Sequence, residues 1–370
     1  MISFEIATSH LCEGVDFMKK LLVAVIVISS VFLGFSTLKV GFLYIGPVGD
    51  FGWTYAHDLG RQYLEDHVPG IITTYIENVP DSIESYRYIE DLVKKGYKVI
   101  FTTSFGYMDA TEQAAKKHPD VYFFHCSGYK YNNTNFTAYF GRIYQPSFLA
   151  GLIAGMMTKS NIIGYVAPIP IPEVIRITNA FALGVKLVNP KAKVHVVWTH
   201  SWFDPAQEKE AAKSLIDIGA DVIAQQTDSA APVQTAEENA VYSIGYNSDM
   251  AVFGPSYYLG APVWNWGAYY VKVVKEIMAG DYKAGFYWGG MEEDVVRLAM
   301  SDNVPDKVKA VVKAFEKLIR ERKFDPFTGP IYNQEGKLMV KEGERMSDKA
   351  LLSMDWFVDN IVGTIPKASH

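Results

Sequence analysis

Short apolar runs recur along the chain. They are "KVGFLYIG" from Lys39, "KVIFTTS" from Lys98, "VYFFHCSG" from Val121, "NIIGYVAP" from Asn161, "KVHVVWTH" from Lys193, "DVIAQQTD" from Asp221 and "VYSIGYNS" from Val241. Each is rich in Val, Ile, Phe or Tyr, which is how strands buried on both faces read. Helical periodicity fills the gaps. After the first run, Ala56, Leu59, Gly60, Tyr63 and Leu64 recur at i, i+3 and i+4 and predict one buried helix face. "DPAQEKEAAKSLIDIG" predicts a helix capped by Asp204, begun at Pro205 and stopped at Gly219. "GYMDATEQAAKKHPD" predicts one that ends before Pro119.

Strands alternating with helices in this way predict an α/β fold of open, mostly parallel sheets with helices on both faces. About four strands precede residue 142 and at least four follow Asn161, too many for one compact sheet, so two lobes are expected. The small-residue helix "YQPSFLAGLIAGMMTKS" (Tyr144–Ser160) is the element that carries the chain across. The expected division is 37–144 with about 255–282 in an N-terminal lobe, and 145–254 with about 283–332 in a C-terminal lobe. Residues 333–370 form an extension packed on the lobes, with Leu351, Leu352, Met354, Trp356 and Phe357 suggesting a docked helix.

Composition sharpens this picture at two points. A formal charge of −6 argues against a nucleic-acid partner, which calls for a basic surface. The N-terminus reads as a leader: Lys19 and Lys20 precede an apolar run from Leu21 to Phe35, with Gly34 and Ser36 placed for cleavage before Thr37. Residues 1–36 are therefore set aside, with Met18 as the expected true start and an uncleaved signal anchor as the alternative. The protein is expected to be exported, to the periplasm or the outer face of the cell membrane, and no lipobox cysteine follows the run. Cys126 is the lone cysteine of the mature chain, so no disulfide framework arises.

Candidate chemistry clusters at the strand ends. "GPVGDFGW" carries Asp50 and Trp53 on the turn after the first strand, and "THSWFDP" carries Trp202 after another. In open α/β sheets ligands bind beyond the carboxyl ends of the strands, so the two tryptophans are candidate stacking platforms. Trp53 equally suits the buried stripe of its own helix. Asp50, Asp228 and Asp249 recur at equivalent strand ends, where a carboxylate either caps a helix or reads a ligand's N–H or O–H edge. Ser104 in "TTSFG" and Asn265 in "VWNWG" are further polar candidates. The glycine spacing at Gly46, Gly49 and Gly52 is not the dinucleotide fingerprint, and no phosphate loop, GxSxG elbow or HExxH appears. His195 and His200 alone do not make a metal centre. No cofactor or catalytic residue is assigned.

The ordered set "GPVGDFGW", "SFLAGLIAGMM", "IIGYVAPI", "SWFDP", "GADVI" and "GYNSDM" resembles the basic membrane protein (BMP) family of ABC-transporter substrate-binding proteins, from about Lys39 to Pro366. The resemblance implies the type I periplasmic-binding fold, two Rossmann-like lobes joined by a hinge of three crossovers, with a purine nucleoside or nucleobase in the cleft. It places the first stacking aromatic on Trp53, with Thr54 where the family usually has Asn. The second falls on Trp202 or Phe203, of which Trp202 is preferred. The ribose-facing Asp falls on Asp249, and the ribose-facing Lys falls near Asn265. Losing that Lys leans toward a free base, adenine first. The implied partners are a small purine ligand and a membrane permease, the receptor itself being a monomer. An exported nucleoside hydrolase and a ligand-sensing regulator of the same fold are the alternatives.

Overall fold

The computed structural model describes residues 37–366, so the leader read from the sequence lies outside the described residues. Two sheets organise the chain. The first contains β1 (Leu38–Leu43), β2 (Ile71–Ile76), β3 (Val99–Thr102), β4 (Tyr122–Cys126), β5 (Phe136–Gly141) and, from far along the chain, β11 (Phe286–Gly289). Its order is β11-β5-β4-β3-β1-β2, with every neighbour parallel. The second contains β6 (Ile162–Ala167), β7 (Lys193–Trp198), β8 (Val222–Gln225), β9 (Tyr242–Ile244), β10 (Tyr258–Trp264), β12 (Val296–Met300) and β15 (Ile361–Val362). Its order is β12-β10-β9-β8-β6-β7-β15, and only β12 runs antiparallel, against β10. This is the two-lobed α/β architecture that the alternating runs predict.

The helices follow the strands: α1 (Trp53–His67), α2 (Ser85–Lys94) and α3 (Met108–Lys117) in the first half, then α4 (Tyr144–Met157), α5 (Pro172–Val188), α6 (Pro205–Asp217) and α7 (Ala231–Glu238). Later come α8 (Trp266–Ala279), α9 (Asp306–Arg320) and the short α10 (Asp348–Leu352). α6 begins as its sequence says, with the Asp204 carboxylate accepting from the Gln207 amide. α1 does not present the expected face. Leu59 and Tyr63 are exposed, whereas Thr54, His57 and Asp58 are buried beside Ala56, Gly60 and Leu64. The reason is tertiary: α8 packs against α1 and brings Trp266 flat onto the His57 ring, 4.9 Å away at 5°, which turns the polar side of the helix inward.

α4 and α5 pack closely because small residues let their backbones approach. A Cβ on Gly151 would lie 2.0 Å from the Phe181 carbonyl oxygen, and one on Gly184 would lie 2.1 Å from that of Phe148. Only glycine fits at such a contact.

Three segments cross between the sheets: Arg142–Ile143, Asn265, and Gly290–Val295. The expected exchange points differ from these. β10 joins the second sheet through β9, and β11 returns to the first through β5, so the inserted segment of the first lobe runs from α8 to β11 rather than over about 255–282. Pairing between residues far apart in sequence decides this, and no local pattern encodes it. The crossings are bonded to one another. The Asn265 side-chain amide donates to the Asp294 carbonyl at 2.7 Å, the Met291 amide donates to Gln145 Oε1 at 2.8 Å, and Arg142 Nε donates to the Trp288 carbonyl at 3.1 Å.

The tail is a working part of the second lobe. β15 extends its sheet along β7, and Leu351, Met354 and Phe357 are buried, while Leu352 is exposed. The helix expected here is only the five residues of α10. Arg142 of the first crossing bonds Asp348 through both guanidinium nitrogens, at 2.8 and 2.6 Å.

Candidate functional site

Strand order fixes where a ligand crevice lies. In the first sheet the chain goes from β1 to β2 on one side and to β3 on the other, so the crevice opens between the loops that follow β1 and β3. The second sheet repeats this with β6, β7 and β8. The two crevices face each other across the crossings.

In the first lobe, the turn after β1 is built by Asp50. Its carboxylate accepts from the amides of Gly52, Tyr55 and Thr54 at 2.8, 2.9 and 3.1 Å. Burial raises its pKa, and those three amides pull the other way. Thr54 is buried, and its hydroxyl accepts from the Gly46 amide at 3.2 Å. Both side chains thus hold the turn that presents Trp53. The Trp53 indole bridges the crevice, its N–H donating to the Thr103 carbonyl after β3 at 2.6 Å. Trp264, Trp266 and the His57 ring back it, meeting it edge-on at 5.5, 6.0 and 4.5 Å. Trp264 and Trp266 are themselves stacked at 4.6 Å. Trp53 remains half-buried while packed against the core, so its two readings are not exclusive. Ser104 is otherwise engaged, donating to Asp81 at 2.7 Å while its carbonyl accepts from His125 Nε2.

In the second lobe, Trp202 is half-buried and Phe203 is half exposed. The Trp202 carbonyl accepts from the Asp228 amide at 2.9 Å, so the loops after β7 and β8 are tied together. The Asp228 Oδ1 accepts from Asn247 at 2.7 Å. Its Oδ2 meets no donor among the described residues. Burial pushes the Asp228 acid well up, and the neighbouring Asp50 carboxylate adds to the effect. Asp249 is exposed and caps a single turn by accepting from the Ala251 amide at 3.1 Å. Asn265 belongs to the crossings described above.

The expected residues therefore separate. Trp53, Trp202 and Asp228 stand on the loops that border the cleft, Asp50 and Thr54 shape its first wall, and Ser104, Asp249 and Asn265 have their polar groups engaged elsewhere. Sequence reasoning missed Asn247. It is fully buried, adopts φ +68°, donates to Asp228 and accepts from the Trp264 indole at 2.8 Å. Its place two residues before Asp249 in "YNSDM" was the available signal.

The lobes are shut. The Ser248 hydroxyl of the second lobe donates to the Phe51 carbonyl of the first, and Phe51 sits edge-to-face on Phe253 at 4.9 Å. A Cβ on Gly52 would lie 2.4 Å from the Asp228 carbonyl oxygen and 2.7 Å from its Cβ.

Two parallel-sheet lobes, three bonded crossings and a closed aromatic cleft define a bilobal solute receptor of the type I periplasmic-binding fold. The comparisons agree. An ABC-transporter solute-binding protein from Conexibacter woesei matches with a TM-score of 0.68 at 19% identity, over 78% of this chain and 98% of that one. The chain matches the Bmp family, described as ABC transporter substrate-binding protein PnrA-like, over residues 37–324. This chain belongs to that family, whose members are substrate-binding proteins and not enzymes. It is 44% identical to a purine-binding protein of Brucella abortus, over 89% of this chain and 94% of the relative. It is also 41% identical to a protein of Haloferax volcanii named as a candidate ABC transporter glucose-binding protein, over 89% and 82%.

Proposed function

We propose that the protein is the extracytoplasmic receptor of an ABC importer and captures a purine base, adenine first, between Trp53 and Trp202. The observation that supports this reading is that two half-buried tryptophans stand on loops of opposite lobes, which approach each other where Gly52 meets Asp228, an acid with one free oxygen. An aromatic ring stacked on a base contributes about 1–3 kcal/mol, so two platforms supply a large part of the roughly −8 kcal/mol of micromolar binding. Asp228 Oδ2 then takes an N–H of the base, and a ligand that leaves it unpaired is rejected. The name of the Brucella relative supports a purine, and the absence of a lysine at Asn265 favours a base over a nucleoside.

Function follows from hinge closure. Ligand binds the lobe that is better formed, the crossings bend, and the shut form is favoured by the contacts made across the cleft. A membrane permease then reads the closed lobes. Export through the leader and a monomeric state belong to the same proposal. Denaturing the purified protein and weighing the released small molecule tests the reading: adenine or another purine is expected, and a hexose refutes it. The Haloferax name makes glucose the competing ligand, and the same spectrum decides between them.

A further inference from the structure

Glu173 has no place in the reading above, yet the topology puts it in the cleft. β6 takes in the second sheet the position that β1 takes in the first. α1 opens at Trp53 after β1, and α5 opens at Pro172 and Glu173 after β6. Glu173 therefore stands, in the second lobe, where Trp53 stands in the first. The loop after β8 that carries Asp228 forms the other wall of the same crevice. The Glu173 side chain is half-buried, and no donor among the described residues reaches its carboxyl group. On the same crevice wall, the Gln226 side-chain N–H and the Thr227 hydroxyl are buried without partners. An acid held in such a place without a partner is costly unless something arrives to pair it.

We infer that Glu173 is a specificity-determining residue which reads the amino–imino edge of a 6-aminopurine as a neutral carboxylic acid. The inference rests on the purine reading above. A neutral carboxyl offers one O–H donor and one C=O acceptor. Adenine offers the complement on adjacent atoms, an exocyclic N–H and a ring nitrogen lone pair. An ionised carboxylate has only acceptors and cannot meet the ring nitrogen lone pair. The protonation state of Glu173 thus decides how well adenine is held.

The surroundings favour the neutral form. Burial pushes the Glu173 acid up to about 7, with Arg176 on its own helix opposing. The other ionisable groups that feel it are Asp228 after β8, Tyr246 after β9 and Cys126 at the end of β4 in the first lobe. Asp228 and Glu173 each disfavour ionisation of the other, so the pair retains a proton near neutrality.

The test is calorimetric titration of adenine into ligand-free protein at pH 6 and pH 8, with the wild type, Glu173→Ala, Glu173→Gln and Trp202→Ala. Adenine keeps one protonation state over this range. If only the neutral acid binds, a group titrating at about 7 weakens adenine binding about tenfold between the two pH values. Glu173→Ala is expected to weaken it at least tenfold at pH 6. Glu173→Gln carries the same donor and acceptor, so it should bind within threefold of the wild type at pH 6 and lose the pH dependence. A structural role would not produce that rescue. If adenine binds and Trp202→Ala weakens it while Glu173→Ala does not, the Glu173 inference fails and the purine reading stands. If Glu173→Gln is as damaging as Glu173→Ala, the neutral-acid role fails. If the wild type takes up no adenine, both fall together.

Discussion

Gly52→Ala isolates closure from ligand contact. The added methyl would lie 2.4 Å from the Asp228 carbonyl oxygen, about 1 Å inside the 3.4 Å at which ordinary contact begins, and 2.7 Å from the Asp228 Cβ. All three of the nearest atoms belong to Asp228 in the other lobe. Separation of the lobes would carry those atoms away. The variant therefore strains only the closed state. Overpacking of this kind costs about 1–3 kcal/mol. Separating the lobes to relieve it would instead lose the Ser248 to Phe51 hydrogen bond, about 0.5–1.5 kcal/mol. A loss of about 1–3 kcal/mol corresponds to a Kd raised roughly 5- to 150-fold. Gly49→Ala is the control, since nothing lies within 4 Å of a Cβ there. The assay is titration with adenine, paired with thermal melts with and without ligand. The expected result is a weakened Gly52→Ala with an almost unchanged ligand-free melt and a smaller ligand-induced shift, and a Gly49→Ala that behaves as wild type. A Gly52→Ala protein that binds within twofold of wild type refutes the idea that this approach of the lobes belongs to the bound state.

Other outcomes follow from the same geometry. Trp202→Ala should raise the adenine Kd about thirtyfold, the middle of the roughly 1–3 kcal/mol stacking range, with the melt little changed, because that ring is half-buried on a loop; titration and a melt check both parts. His125 is buried and its pKa is lowered to about 4, so the unfolded chain binds its proton first. Stability should therefore decline as pH falls from about 6.5 toward 4, and a proton-uptake measurement on unfolding in that window checks it. Asn265→Ala removes a bond between two crossings and should alter the rate of closure more than it alters the contacts in the cleft, read by stopped-flow tryptophan fluorescence.

The alternation of strands and helices could be read directly because each buried strand and each cap is a local signal, and the family through the ordered set of motifs that resembles it. The membership of β10 and β11 could not, since their partners β9 and β5 are set by the path of the crossings. The site divided in the same way. Trp202 stood out because nothing periodic claimed it, and Asp228 because it ends a strand. Asp50, with the same signature, is occupied by three backbone amides. A carboxylate that caps and one that faces a ligand look alike until the helix start is placed. Asn247 and Glu173 were hidden for a related reason. One acts through φ +68° and a bond to Trp264, and the other through the topological equivalence of β6 and β1. For Asn247 the place two residues before Asp249 was the one available sign; Glu173 leaves none in residue type or spacing.

A crystal structure of the protein with adenine tests the central claim most directly. The account predicts one base with its faces against Trp53 and Trp202, at about 3.5 Å from each, and its polar edge toward Asp228. A base bound elsewhere, or a sugar occupying the space between those two indoles, would contradict it.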